Sequence, residues 1–284
     1  MEKYKDIAIV QDTPSPRAHW CPGDIPYGVI EPSRIADDTY LFYMVAAASL
    51  VEINSDLYTR NLLEYFHDDD AEINDWLAQH WQPEEIRHGM ALKHYVNTVW
   101  PAFDWDRARR RFGTDYTRLC RPDRLGPTRA LELATRCVVE TGTASLYTML
   151  SRLSPEPVLT GLFSLIRADE VRHYRYFYHF FLNYRRREAP GQYALARTLW
   201  RRVKEVEHED AYYAFKHVYL ERHPARRFDE DAYRMFRRHY LALARRYYPY
   251  EMAVRMFVKP LGLGRRLKRF ALPLLAAGAK HING

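Results

Sequence analysis

The chain has 284 residues, 47% hydrophobic and 14% aromatic, enough for one large domain with its own core, which excludes global disorder. Its 43 Lys and Arg against 36 Asp and Glu give a formal net charge of +7, with the excess in clusters such as Arg109 to Arg111, Arg185 to Arg187 and Arg265 to Arg269. Such a surface steers acidic partners, and no nucleic-acid-binding motif accompanies it.

Residues 1–36 carry five prolines and several turn formers and read as an extended arm. Their first twenty positions lack the apolar run of a secretory leader, and no apolar stretch in the chain approaches the ~20 residues that span a bilayer. The three cysteines, Cys21, Cys120 and Cys137, form no CxxC pair, which fits a reducing cytoplasm. From Asp38 to Phe66 there is neither Gly nor Pro, predicting one helix of roughly 40 Å at about 1.5 Å per residue. A second helix is predicted to start at Pro83, the alternative being that Trp76 to Trp81 belong to the same helix through a local kink; it runs to about Val99 and stops at Pro101. Asp104 to Pro127 reads as a polar, basic connector. A third helix is predicted over Thr128 to Leu153 and a fourth over Pro157 to Tyr184, closed by Ala189-Pro190-Gly191. Helical stretches near 192–221, 229–246 and 249–258 follow. The expected organisation is an arm (1–36), an all-α four-helix core (37–188), additional helices packed on it (189–258) and a basic-then-apolar tail (259–284).

Two short motifs carry the chemistry. Glu84-Glu85-Ile86-Arg87-His88 lies on the second helix and Asp169-Glu170-Val171-Arg172-His173 on the fourth. Each contains Glu-x-x-His, which puts a carboxylate and an imidazole on one helix face. Two such pairs plus a lone Glu from each of the other two helices make the ligand set of a di-iron carboxylate bundle. Glu52, 33 positions before Glu85, and Glu140, 30 positions before Glu170, occupy those places, each within an apolar stretch where an uncompensated carboxylate would be costly. Glu64 and Glu132 are rival acids, but both fall near predicted helix ends. The six candidate ligands are therefore Glu52, Glu85, His88, Glu140, Glu170 and His173. Four carboxylates and two neutral imidazoles neutralise two divalent ions. Mixed oxygen and nitrogen ligation suits iron, with manganese as a substitute, better than zinc. Arg87 and Arg172 are placed to pair with Glu84, Asp169 or neighbouring acids. Thr143, one turn after Glu140, can offer its hydroxyl either to the site or to its own backbone. Cys137, one turn before, reads as a small core residue.

The segments PEEIRHG and RADEVRH resemble the EENRHG and ADEKRH segments of the soluble acyl-carrier-protein desaturases, and Glu140 with Thr143 resembles their Glu-x-x-Thr. Glu52 with Tyr58 six residues later is similar to that family's first ligand helix. The resemblance covers about Asp38 to Tyr184. It implies a ferritin-like fold, two irons, O2 as co-substrate, an external electron donor such as a ferredoxin, an acidic acyl carrier protein as partner, and a homodimer. It also implies that Asp169 and His88 belong to an electron-entry path completed by a Trp, for which Trp20 is a candidate.

The leading expectation is an oxygen-dependent oxidase of a fatty acyl chain. An N-oxygenase or hydroxylase of a small metabolite would use the same irons with a shorter, more polar pocket. Iron binding without turnover is the reading from another class. In the tail, Arg265, Arg266, Lys268 and Arg269 precede the apolar run Phe270 to Ala279. That pairing suits either docking on the bundle or weak contact with an anionic membrane surface.

Overall fold

The computed structural model describes residues 20–264 apart from 69, 70 and 209, together with 272–278 and 280. The first 19 residues of the arm and the cluster Arg265, Arg266, Lys268 and Arg269 lie outside the described residues. Among those described there is no strand, so the all-α expectation holds. No described helix is long and apolar enough to cross a membrane.

Four helical segments form the centre. The first is α1 (Thr39–Ile53), continued by α2 (Ser55–Phe66). Asp38 caps α1 by accepting from the Leu41 amide, a paired donor that would otherwise be orphaned. The single long helix expected here is interrupted at Asn54, whose φ and ψ of −102° and 17° leave the helical region. The Asn54 side chain donates to the Leu50 carbonyl at 2.7 Å and so satisfies part of the break. The second segment runs through α3 (Ala71–Trp76), a π-helical turn (Leu77–Trp81) and α4 (Gln82–Val99). Pro83 lacks an amide donor and its ring crowds the carbonyl four residues earlier. A locally widened turn before it lets the helix continue, which is the form the expected kink takes.

The segment expected to be a polar, basic connector contains a helix, α5 (Trp105–Tyr116), capped by Asp104. Trp105, Ala108, Phe112 and Tyr116 recur at helical spacing and are buried, so five arginine and aspartate positions on the other face do not prevent a helix. The third and fourth central helices are α6 (Arg129–Leu153) and α7 (Pro157–Glu188). Glu156 accepts from the amides of Val158 and Leu159 while Pro157 fills the first turn. At the other end of α7, Ala189 takes a left-handed conformation (φ 46°) before Pro190 and Gly191.

The most extensive packing joins α6 to α7 and α1 to α4. Gly89 explains how closely α4 approaches α1: a methyl group there would stand 2.5 Å from the Ile53 amide nitrogen. Four further helices, α8 (Gln192–His208), α9 (Asp210–Arg222), α10 (Glu230–Tyr247) and α11 (Tyr250–Val258), follow. Of these, α8 and α11 lie against α6, and α9 lies against α1 and α5. Arg107 of α5 reaches Glu221 of α9, with Nε donating at 2.8 Å. The apolar interior falls into two clusters. One is centred on α1, α4, α5 and α9, the other on α6, α7 and the segment around Trp76.

Candidate metal centre

The four central segments bring the six candidate ligands together between the two apolar clusters, and each is buried. Two groups with ligand atoms close enough to share an ion are present: Glu52, Glu85, His88 and Glu170, and Glu85, Glu140, Glu170 and His173. Glu85 and Glu170 belong to both. Those two carboxylates therefore stand between two positions, each completed by one His and one lone Glu. His88 Nδ1 lies 3.2 Å from Glu170 and 3.7 Å from Glu52. His173 Nδ1 lies 3.0 Å from Glu85 and 3.6 Å from Glu140. The two imidazole centroids are 5.9 Å apart.

The outer nitrogens of the histidines are held crosswise. Asp169, which precedes Glu170 on α7, faces Nε2 of His88 on α4 at 3.0 Å. Glu84, which precedes Glu85 on α4, faces Nε2 of His173 on α7 at 2.8 Å. Both acids stay ionised: burial works against this, but hydrogen bonds from the histidines prevail and hold Asp169 well below the usual carboxylate range and Glu84 down at about 2. An ionised carboxylate accepts, so each Nε2 carries a hydrogen and each Nδ1 is the nitrogen that faces inward. Arg172 bonds Glu84 at 2.7 Å and Asp169 at 2.8 Å, and Arg87 bonds Asp169 at 2.9 Å. The two motif arginines therefore neutralise the orienting acids, as their spacing suggested.

The inner faces call for cations. Nδ1 of both histidines and one oxygen each of Glu140 and Glu170 are buried without a hydrogen-bond partner. Orphaned buried polar atoms converging on one place are what an ion would satisfy. The charge balance agrees. Burial would lower the pKa of His88 and His173, yet the surrounding carboxylates raise both well above the ordinary imidazole value. Burial and neighbouring carboxylates push Glu85 well up, and burial pushes Glu140 to about 8. Protons thus take the place that divalent ions would fill, and the donor set fits two such ions.

Thr143 does both things its position allowed. Its hydroxyl donates to Glu170 at 2.7 Å and also lies 3.3 Å from the Val139 and Glu140 carbonyls. Cys137 is buried in the apolar cluster. Of the rival acids, Glu64 is exposed, and buried Glu132 is committed to Arg136, to the Tyr58 hydroxyl and to the Gly126 amide. Trp20 packs on the outer side: its Nε1 donates to Asp169 at 2.9 Å and its ring stacks on His88 with centroids 5.9 Å apart. Tyr147 was not anticipated. Its buried hydroxyl donates to Glu52. The available signal was its place seven residues after Glu140, on the same face of α6.

Fold and site together define an all-helical protein with a buried carboxylate and histidine cluster able to hold metal. Compared with family models, with curated proteins and with solved structures, the chain gives no match.

Proposed function

We propose that the protein is a ferritin-like, oxygen-dependent di-iron oxidoreductase. The observation that carries this reading is the sharing of Glu85 and Glu170 between two buried ligand groups, each with an inward Nδ1 fixed by an ionised acid behind it. Iron bound by Glu52, Glu85, His88, Glu140, Glu170 and His173 would supply the oxygen-activating redox chemistry; the chain supplies binding, orientation and exclusion of water. In this reading Asp169 and Glu84 keep the imidazoles in one tautomer, and Tyr147 and Thr143 hold the carboxylates of Glu52 and Glu170. Trp20, Asp169 and His88 form a continuous contact from the outer side to the ligands, a route for electrons from an external donor such as a ferredoxin.

The motif resemblance supports a fatty acyl chain on an acidic carrier protein as substrate, met by the basic surface. A second reading, oxidation of a compact metabolite, is favoured by a charged cavity beside α6. The test is anaerobic loading with iron(II), reduction, and admission of air. Oxygen consumed in proportion to a product from an acyl or small-molecule substrate supports the proposal. Iron retained with no turnover of any substrate would favour iron binding alone.

A further inference from the structure

A cavity of about 380 Å³ lies where α2, α6 and α8 meet the turn before α6. That is the size of a small-molecule site, about 300–1,000 Å³. Its walls are of two kinds. Tyr58, Tyr116 and Leu125 offer ring and aliphatic surface, while Arg136, Arg201 and Arg202 bring guanidinium groups to the same space. Among the described lining residues, four arginines face three acids.

Arg202 is the informative residue. Its side chain is 14% exposed, and its Nε is buried without a hydrogen-bond partner. Its terminal nitrogens stand 3.5 Å from Glu205 and 3.7 Å from Asp210, too long for good hydrogen bonds. A guanidinium withdrawn from water and held, among the described residues, by long contacts is costly unless an acceptor joins it. Arg201 stands beside it, about half exposed, 3.2 Å from Glu205. Arg136, whose Nε is likewise buried without a hydrogen-bond partner, differs in its closer charge contacts: it lies 3.0 Å from Glu132 and over the Tyr58 ring at 4.1 Å. It therefore shapes the wall rather than waiting for a ligand.

The place of the cavity matters as much as its lining. Arg136 precedes Glu140 by one turn on the same face of α6, about 6 Å along the axis. Tyr58 follows Glu52 across the break at Asn54. The cavity thus begins one helical turn from Glu140 on α6 and six residues from Glu52 on the other side of the Asn54 break, and α8 lines it as well.

We infer that this cavity binds a compact organic carboxylate, its acid group on Arg202 and Arg201 and its apolar body against Tyr58, Tyr116 and Leu125. A planar fork of donors matches a carboxylate with two parallel hydrogen bonds. As a binding site the inference stands on the cavity alone. As the place where a substrate's acid group is held, it rests on the di-iron reading.

The test is isothermal titration of the full-length, metal-loaded protein with benzoate, with benzamide as the uncharged probe of the same shape. Saturable binding of benzoate at one site, with benzamide at least about 10-fold weaker, is expected. Arg202→Gln removes the guanidinium directly. Should that variant not fold, Arg201→Gln and Leu125→Trp carry the test: the first should weaken benzoate about 10-fold and the second, by filling the space, should abolish binding. No benzoate binding up to about 50 mM, equal binding of benzamide, or binding that survives both Arg201→Gln and Leu125→Trp overturns the inference. Inorganic phosphate binding more tightly than benzoate also overturns it. Metal content measured on the same samples separates the two readings. Benzoate bound by a protein that takes up no iron rejects the di-iron reading and keeps the carboxylate site; iron bound without benzoate does the reverse.

Discussion

Asp169 lies 3.0 Å from Nε2 of His88, although the two residues sit on different helices. Its mirror on the other side is Glu84 with His173 at 2.8 Å. Each acid thus precedes one of the two glutamates shared by both ligand groups on its own helix, and orients the histidine of the other helix. The α4 and α7 motifs cannot act separately, because each helix fixes the tautomer of its partner. Asp169→Asn and Glu84→Gln keep size and remove charge, and an amide can present either a donor or an acceptor to Nε2. Metal affinity should fall about 10- to 100-fold in each variant, with helix content unchanged. Metal titration followed by circular dichroism checks both points. An unchanged affinity in both would show that the outer acids do not orient the ligands.

Metal content is the most direct consequence of the shared carboxylates. The chain should take up about two irons when loaded anaerobically. Glu170→Ala removes a ligand common to both positions and should lose both, whereas Glu140→Ala should retain part of the first. Bound metal should also raise the melting temperature, since an ion held only by the native state adds about 2.7 kcal/mol at one hundred times its dissociation constant. Chelation should reverse the rise. Zero uptake by the wild-type chain would reject the site.

Gly89 sets the distance between α1 and α4. Gly89→Ala places a methyl group 2.5 Å from the Ile53 amide nitrogen, so the backbones must separate. Overpacking of this kind costs typically about 1–3 kcal/mol. Because Glu52 is the residue before Ile53 and His88 the residue before Gly89, the separation should act on the ligands too. A lower melting temperature together with weaker iron binding is expected. A variant as stable as the wild type with full iron content would mean that α1 can move without disturbing Glu52.

Much of this was legible because helical spacing is rigid. Glu85 with His88 and Glu170 with His173 needed only the three-residue repeat, and Glu52 and Glu140 stood out as acids in apolar surroundings. What the spacing could not supply was contact between segments. Tyr147 looks like any buried aromatic until the fold brings Glu52 of α1 to its hydroxyl. The pairing of Arg107 with Glu221 joins elements far apart in the chain. The helix α5 was hidden by composition: Trp105, Ala108, Phe112 and Tyr116 mark an apolar face, but the arginines between them suggest a connector. The break at Asn54 was equally obscured, since neither Gly nor Pro marks it and the side chain itself takes up the Leu50 carbonyl. The crosswise arrangement of Glu84 and Asp169 had a trace in the sequence, an acid before each Glu-x-x-His, without any indication of which histidine each would meet.

Tyr147 donates to Glu52, and the phenol is fully buried. Burial, then the charges of Glu52 and Glu170, push its pKa well above the ordinary phenol value, so it remains a donor throughout the usual pH range. Tyr147→Phe keeps the ring and leaves one oxygen of Glu52 without that donor. The expected loss of stability is about 1–3 kcal/mol in the metal-free protein and less in the loaded one, where an ion compensates the carboxylate. Paired thermal unfolding with and without iron measures that difference. Equal losses in the two states would indicate that Tyr147 serves packing alone.

In the proposed di-iron reading, Thr143→Val is the variant that should separate oxygen handling from folding. Its hydroxyl bonds Glu170 at 2.7 Å, and two backbone carbonyls of its own helix lie within reach. Thr143→Val preserves the branched shape and removes the donor. The helix loses nothing it needs, because those carbonyls already serve its own ladder. Iron content should therefore persist, since Glu170 keeps its place between the two ligand groups. What should change is the fate of reducing equivalents: with Glu170 less constrained, product formed per oxygen consumed should fall and peroxide released should rise. Simultaneous measurement of oxygen uptake, product and peroxide decides the matter. A variant with full iron and unchanged product per oxygen would make Thr143 a packing residue of α6.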